Sequence, residues 1–332
     1  MKIGKRKIGS EYPVFIVAEA GINHNGDIEI AKEMIESVSK SGCDAIKFQT
    51  LFPEELFSQK LNPDWYDLIN KWVLSKNQHI QLIKHAKKNN IEFFSTPVGL
   101  KSAKLLQSVN VNCIKIASGE LTNHEMVNAI AKMKIPMIVS TGMSTISEIM
   151  SVVELLEKQN AVFSILHCNA SYPSPIEDSN LLTIPHFRNI FNVPIGYSDH
   201  TIGNEACFAA VSLGACIVEK HFTLDKKMDG PDQKLSADPK QFSLLSSKIR
   251  LIEKSLGIVR DGPTNSEGKF RKTMRKSIGA SKDIAAGTKI TRSMLQLFRP
   301  GTGIPPTKLD SIIGMKISKN VKKGDMLNWE MF

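Results

Sequence analysis

Short apolar runs alternate with amphipathic segments along the first 222 residues of the chain. The runs are apolar on both faces and end near Gly, Ser, Thr, Pro or Asn, as is typical of parallel strands covered on both sides. Helical patterns such as Ile28–Lys40 and Met143–Lys158 separate them, and Thr145 and Glu148 have capping-box spacing. The predicted strands are Phe15–Gly21, Asp44–Thr50, Glu92–Pro97, Cys113–Ser118, Pro136–Gly142, Phe163–Ala170, Val193–Asp199 and Cys216–Phe222.

Eight repeats of strand and helix predict an α/β fold, a (β/α)8 TIM barrel, with its active site at the carboxyl ends of the strands. Asp238 and Pro239 open a final helix that runs to about Leu256. The long connection from Leu51 to Ile91 predicts an extra helical excursion near the barrel mouth.

The chain is expected to have three parts. Residues 1–258 form the predicted catalytic barrel, and residues 259–276, which are polar and contain Gly without an apolar period, are interpreted as a linker. Residues 277–332 form a small second domain, in which Asp283–Ile290 and Asn320–Leu327 are a pseudo-repeat with Gly at the turn.

The net charge of the chain and its distribution indicate which kind of ligand the protein binds. The net charge is +10, of which residues 261–332 carry +8, from 14 Lys/Arg and 6 Asp/Glu. These cations are dispersed and lack interleaved aromatic residues, so attraction of an anionic substrate is favoured over nucleic-acid binding. No apolar stretch has signal-peptide or transmembrane length, and the five cysteines have no paired spacing, so a cytoplasmic protein without disulfides is expected.

Polar side chains end every one of the predicted strands. A shared site explains this pattern better than packing does, because the carboxyl ends of barrel strands meet at one mouth. These residues are Glu19, Lys47, Gln49, Ser95, Thr96, Lys115, Ser118, Glu120, Ser140, Thr141, His167, Asn169, Ser198, Asp199, His200, Glu219, Lys220 and His221.

The residue types suggest two kinds of chemistry. His200 and His221 end consecutive strands, and two neutral imidazoles suit a divalent metal that polarises a carbonyl oxygen, although each could instead only hydrogen-bond locally. Lys47 and Lys115, with nearby hydroxyls and backbone N–H groups, are typical of a phosphate site. Glu19 could exchange a proton there or pair permanently with a lysine.

Seven motifs, in order and over nearly the whole chain, resemble the bacterial sialic acid synthase family, which ends in an antifreeze-like (SAF) domain. They are Ala18–Gly26 (Ala-Glu-Ala-Gly-Ile-Asn-His-Asn-Gly), Lys47–Thr50, Phe94–Pro97, Lys115–Glu120, Ser140–Met143, Gly196–His200 and Glu219–Asp225.

The resemblance implies that carbon 3 of phosphoenolpyruvate attacks the aldehyde of an open-chain N-acylated amino sugar, that water adds at carbon 2 and that phosphate leaves. By resemblance, Glu19, Lys115 and Glu120 are catalytic, and His200 and His221 bind Mn2+ or another divalent ion such as Mg2+ or Co2+. Phosphoenolpyruvate would contact Lys47, Thr96, Lys115, Ser118, Ser140, Asn169 and Ser198, and the sugar Gln49, Glu120, Tyr172, Asp232 and Arg299.

In the family the SAF module docks on a partner barrel, so the resemblance implies a homodimer with swapped modules. Arg299, beyond the linker, matches an arginine that reaches the N-acyl group of the sugar; otherwise it lies on a solvated loop.

Three functions remain open. Met228–Asp232 resembles the neuraminic and legionaminic branches more than the pseudaminic one. Within it, Asp232 is similar to a carboxylate that accepts hydrogen bonds from sugar hydroxyls in the neuraminic branch, which favours N-acetylmannosamine as substrate. A legionaminate or pseudaminate synthase, using a 2,4-diacetamido-2,4,6-trideoxy hexose, is the alternative. A non-catalytic carbohydrate-binding protein is the alternative of another class.

Overall fold

Eight parallel strands close into a barrel in the first 257 residues of the computed structural model, which describes all 332 residues. The strands pair in chain order, and the eighth pairs with the first, so the predicted TIM barrel is confirmed. Each predicted strand is present with ends that agree within two residues. They run Phe15–Gly21, Ala45–Thr50, Glu92–Pro97, Ile114–Ile116, Met137–Ser140, Phe163–Cys168, Ile195–Asp199 and Ile217–His221.

Helices cover the outside of the barrel, where their apolar faces and the strands form one large core. The final helix starts at Pro239 as predicted, after a capping box on Asp238. The predicted capping box of Thr145 and Glu148 is also present, and it starts its helix at Ile146, three residues after the predicted Met143. The helices run Ile28–Lys40, Lys76–Lys88, Leu100–Ser108, His124–Lys132, Ile146–Lys158, Thr183–Ile190, Glu205–Ser212 and Pro239–Leu256. No helix combines the length and the apolar character that crossing a bilayer requires.

The interior of the barrel changes from apolar to polar along the strands. At the amino ends a second core includes Phe94, Ile138 and Leu166. The antiparallel strands Lys2–Ile3 and Arg6–Lys7 form an N-terminal hairpin, and Ile3 and the following Ile8 close this core from below. At the carboxyl ends the buried inward side chains include Lys47, Lys115 and Glu219. This apolar floor confines the charged groups to one end of the barrel.

The connection between the second and third barrel strands makes the predicted excursion. Pro53–Leu56 and Pro63–Asn70 are short helices, each with Pro in its first turn, and they precede Lys76–Lys88. Ile69 and Trp72 are buried in a small separate apolar cluster with Ile22 and Leu51, which holds the excursion against the strand ends.

Residues 258–332 form the second compact unit. The range predicted as a linker contains the helix Asn265–Met274, which starts at a capping box on Thr264 and buries no residue. Beyond it lie strands Ser277–Ala280 and Leu295–Phe298, a short helix Leu309–Ile312 and a core of ten buried apolar residues. Ile284 and Val321, one from each pseudo-repeat, exchange backbone hydrogen bonds of 2.8 and 2.9 Å, so the two repeats pair with each other.

Candidate active site

A cavity of about 350 Å³ opens at the carboxyl end of the barrel. Most side chains that the sequence assigned to a site line this cavity together, because alternate residues of each strand point into the barrel. Those lining it are Glu19, Lys47, Gln49, Thr96, Lys115, Ser118, Ser140, Tyr172, Ser198, His200, His221 and Asp232.

Two lysines and two carboxylates form the deepest part of the cavity. Lys47 Nζ lies 3.0 Å from Glu19 Oε2 and 3.3 Å from Glu219 Oε1, and Lys115 Nζ lies 3.5 Å from the same Glu219 oxygen. All four side chains are at most 5% exposed. Glu219 therefore joins the two cations, and its other oxygen, Oε2, is buried without a hydrogen-bond partner.

Burial and mutual charge shift the pKa values of this cluster in different directions. Burial raises the pKa of Glu219, but Lys115 and Lys47 outweigh it and hold the pKa at about 2. Burial also raises the pKa of Glu19, and here it prevails over the opposing effect of Lys47. Burial lowers the pKa of Lys115. The cluster thus holds one firmly ionised carboxylate and one carboxylate that takes up a proton more readily.

Hydroxyl groups surround the two ammonium groups. Lys47 Nζ donates to Thr96 Oγ1 at 2.9 Å, and Lys115 Nζ donates to Ser140 Oγ at 2.6 Å. Ser198 Oγ donates to Glu219 Oε1 at 3.3 Å. Ser118 Oγ accepts from the backbone N–H of Gly142 at 2.9 Å. Cations and hydroxyls in this arrangement can hold a phosphate and a carboxylate.

The hydrogen bond to Ser118 Oγ requires a glycine at position 142. A Cβ atom added at Gly142 would lie 2.9 Å from Ser118 Oγ and 3.1 Å from the Ala170 Cβ. Only a residue without a side chain lets the loop after the fifth barrel strand approach Ser118 this closely.

The two histidines meet at one side of the cavity, with ring centroids 5.4 Å apart. Burial lowers the pKa of both imidazoles, so both are neutral near pH 7. His200 Nδ1 donates to the Asn169 carbonyl at 2.5 Å, which leaves the lone pair on Nε2. His221 Nδ1 is buried without a hydrogen-bond partner. These unpaired nitrogens are the donor type that divalent transition metals prefer.

No third His, Cys, Asp or Glu completes a metal-binding set with these two rings. The closest carboxylate contact is Asp232 Oδ2, 3.7 Å from His221 Nδ1. A divalent ion held by the two imidazoles would therefore keep several positions free for water or substrate.

One rim of the cavity carries Tyr172 and Asp232. The Tyr172 ring lies over His200 with centroids 4.1 Å apart, and it meets His221 edge to face at 5.8 Å. Gln49, on the second barrel strand, donates to Glu19 Oε1 at 3.3 Å. These groups can meet the hydroxyls of a ligand that extends outwards from the histidines.

The opposite rim is apolar. Leu56, Phe57, Trp65, Ile69 and Trp72, here called the aromatic wall, all come from the excursion and line the cavity. Phe57 and Trp65 stack with centroids 6.1 Å apart, and Trp65 is half exposed.

Three of the residues assigned a catalytic or substrate-binding role do not line this cavity, and the same holds for five of the strand-end residues expected at a shared site, Ser95, Thr141, His167, Asp199 and Lys220. Glu120 lies in the single 3-10 turn Ser118–Glu120 and accepts from Asn123 Nδ2. The Asn169 side chain contacts the backbone of Asp178 and Ser171 and lines a separate surface cavity. Arg299 is exposed on the second unit, directly after Leu295–Phe298.

The sequence interpretation assigned no role to Glu219 or to the aromatic wall. Glu219 was visible as a polar residue at a strand end, two positions before His221, and strand alternation places both residues on the same face. The wall left only a weak signal, two tryptophans in a long connection.

A barrel with a buried lysine pair, hydroxyl groups and two imidazoles that each keep one nitrogen without a partner defines a class of enzyme that binds a small anionic substrate. The sequence matches the NeuB family over residues 34–261 and the SAF domain over residues 275–332. The chain belongs to the NeuB family, the family of sialic, legionaminic and pseudaminic acid synthases. It is therefore an enzyme, a phosphoenolpyruvate-dependent transferase that forms a carbon–carbon bond.

Relatives and solved structures agree with this membership. An uncharacterized protein of Methanocaldococcus jannaschii is 43% identical over 99% of this chain and 98% of its own length. The N,N'-diacetyllegionaminic acid synthase of Campylobacter jejuni is 39% identical over 94% of this chain and 98% of its own length. The crystal structure of N-acetylneuraminic acid (sialic acid) synthetase from Leptospira borgpetersenii is 37% identical, has a TM-score of 0.78, and matches 81% of this chain and 94% of that one.

Proposed function

We propose that this enzyme condenses phosphoenolpyruvate with 2,4-diacetamido-2,4,6-trideoxymannose, releasing phosphate and forming a legionaminic-acid-type sugar acid. The observation that carries the choice of sugar is the aromatic wall at the cavity mouth. N-acetylmannosamine, which Asp232 favours, is the second candidate. The relatives support either sugar, because the legionaminic and sialic acid synthases are 39% and 37% identical to the chain.

The phosphoenolpyruvate site is the deep cluster. Lys47 and Lys115 would bind the phosphate and carboxylate, with Thr96, Ser118, Ser140 and Ser198 donating further hydrogen bonds. The proposal is supported by their common position in the cavity. Glu219 keeps both lysines charged and compensated before the substrate arrives.

The reaction joins carbon 3 of phosphoenolpyruvate to the aldehyde carbon of the open-chain sugar. Water adds at carbon 2, and the bond to the phosphate oxygen then breaks. Glu19 would be the acid/base that exchanges a proton with the reacting groups, because its carboxyl is buried beside Lys47 and its pKa is raised. His200 and His221 would hold a divalent ion such as Mn2+, and such an ion would supply Lewis-acid polarisation of a carbonyl oxygen.

The aromatic wall would contact the end of the sugar that is farthest from the aldehyde. With the aldehyde near the histidines, carbons 4 to 6 extend towards the mouth. A methyl group at carbon 6 gains from apolar contact, whereas a hydroxyl buried there without a partner costs about 1–3 kcal/mol. The wall therefore favours the 6-deoxy sugar.

A substrate panel tests this choice. Phosphate release is measured with phosphoenolpyruvate and each of the two sugars, and the 6-deoxy sugar should give a kcat/KM roughly tenfold higher. Trp65→Ala should reduce that preference while leaving the KM for phosphoenolpyruvate unchanged. Trp329→Ala removes an equally exposed tryptophan that does not line the cavity and is the matched control. A tenfold preference for N-acetylmannosamine would select the second candidate.

The proposal includes a homodimer in which each SAF domain serves the partner's barrel. It is supported by the small core of the second unit, ten buried apolar residues, and by an exposed Arg299 that contacts no acid in its own unit. In such a dimer Arg299 would meet the N-acyl group of the sugar.

A further inference from the structure

A buried ion pair joins the residues that lie next to the two histidines. Asp199 Oδ2 and Lys220 Nζ are 2.5 Å apart, and the two residues are register partners on the last two barrel strands. Neither lines the cavity, whereas their chain neighbours His200 and His221 do. The pair therefore lies on the outer face of the strands, behind the histidines.

Every group of this pair has a partner. Asp199 Oδ1 accepts from the Thr201 backbone N–H at 2.9 Å and from the Tyr197 hydroxyl at 3.2 Å. Asp199 Oδ2 also accepts from Cys207 Sγ at 3.1 Å, and Lys220 Nζ donates to the Thr201 carbonyl at 2.7 Å. Both backbone groups of Thr201, the residue after His200, are thus held by the pair.

The same segment is held from the cavity side as well. The His200 carbonyl accepts from the Ser174 backbone N–H at 2.9 Å, and the His200 ring is fixed by the Asn169 carbonyl. Behind the cavity, the ion pair links the end of this strand directly to the strand that carries His221, and the Ser198–Glu219 hydrogen bond links the same two strands inside the cavity. A buried ion pair is seldom needed for stability alone, since apolar residues of similar volume serve equally well.

We propose that Asp199 and Lys220 are positioning residues that set the spacing of the His200 and His221 imidazoles for a divalent cation. This inference rests on the metal role assigned to the two histidines in the proposed function. Groups that orient metal-binding side chains without touching the metal commonly change its affinity by about ten- to a hundredfold when they are replaced.

The test measures the dissociation constant of Mn2+ by calorimetry, without substrates, and the visible absorption of bound Co2+. The double variant Asp199→Leu with Lys220→Met keeps the buried volume but removes the network. It should fold and bind Mn2+ about ten- to a hundredfold more weakly, with an altered Co2+ spectrum. The affinity for phosphoenolpyruvate should stay unchanged, because Lys47 and Lys115 are untouched.

Arg250→Met is the matched control. Arg250 pairs with Asp44 at 2.9 Å, before the second barrel strand and at the opposite end of the barrel, so its loss should lower stability without changing Mn2+ affinity. Tyr197→Phe removes one hydrogen bond from Asp199 and covers the case in which the double variant does not fold. It should weaken Mn2+ binding severalfold.

The possible outcomes distinguish the metal role of the two histidines from the positioning role of Asp199 and Lys220. If the unmodified protein binds no Mn2+, or if His221→Ala binds it equally well, the metal role and this inference both fail. If the unmodified protein binds Mn2+ through His221 and the folded double variant, or failing that Tyr197→Phe, binds it with the same affinity, only the positioning role is overturned.

Discussion

Lys115 Nζ donates a 2.6 Å hydrogen bond to Ser140 Oγ, across the fourth and fifth strands of the barrel. The hydroxyl orients the ammonium group deep in the cavity, where burial lowers the pKa of Lys115. The charge on this lysine is therefore maintained by a few specific contacts.

Ser140→Ala should raise the KM for phosphoenolpyruvate by about ten- to a hundredfold, because a hydrogen bond to a charged group contributes about 1.5–3 kcal/mol. Steady-state kinetics with varied phosphoenolpyruvate measure this. Ser164→Ala, at a buried serine on the neighbouring strand that does not line the cavity, is the control and should behave like the unmodified enzyme. An unchanged KM in Ser140→Ala would remove Ser140 from the phosphoenolpyruvate site.

Chelation should abolish activity, and Mn2+ should restore it. His221→Ala should remain folded and still bind phosphoenolpyruvate, yet lose carbonyl polarisation of several kcal/mol. Calorimetry with phosphoenolpyruvate tests the retained binding, and an activity assay in metal-buffered solution tests the loss of carbonyl polarisation. His186→Ala, at an exposed histidine that does not line the active-site cavity, is the control. Full activity of His221→Ala in chelator would refute the metal assignment.

Glu219→Gln should destabilise the protein by about 3–5 kcal/mol, because it leaves Lys47 and Lys115 buried with less compensating charge. An anion should replace the lost charge. Phosphoenolpyruvate should therefore raise the melting temperature of Glu219→Gln more than that of the unmodified protein. Equal shifts in a thermal titration would mean that Glu219 does not compensate the substrate-binding lysines.

Arg299→Ala and Glu19→Ala should each be nearly inactive, and co-expression should partly restore activity. A mixed dimer with swapped SAF domains pairs one intact barrel with one intact arginine. The heterodimer is isolated with two different affinity tags, and its activity is compared with that of each single variant. A heterodimer no more active than its parents would mean that Arg299 acts on its own barrel or not at all.

The sequence predicted the barrel well for a physical reason. Parallel strands covered on both faces are continuously apolar. Both ends of Phe15–Gly21 and of Glu92–Pro97 were therefore predicted correctly. Strand ends were harder, and they decide which side chains reach the cavity. The sixth strand ends at Cys168, so Asn169 no longer follows the alternation and turns to the Asp178 backbone.

Other parts of the site depend on contacts that no sequence pattern carries. The role of Glu219 follows from its distances to Lys47 and Lys115, which lie on strands far from it in the chain. The aromatic wall depends on how an excursion with two short helices folds back over the mouth. Local periodicity predicts the elements but not these long-range distances.

The apolar floor beneath the lysines closes the cavity at its inner end, so the mouth is the way in. Phe94, Ile138 and Leu166 close it below, while Trp65 and Tyr172 stand half exposed at its rim. A ligand on Lys47 and Lys115 has only one way in, past the position that the sugar would occupy. With the substrates placed as proposed, phosphoenolpyruvate would have to bind first, and a sugar that binds early would block the enzyme instead of reacting.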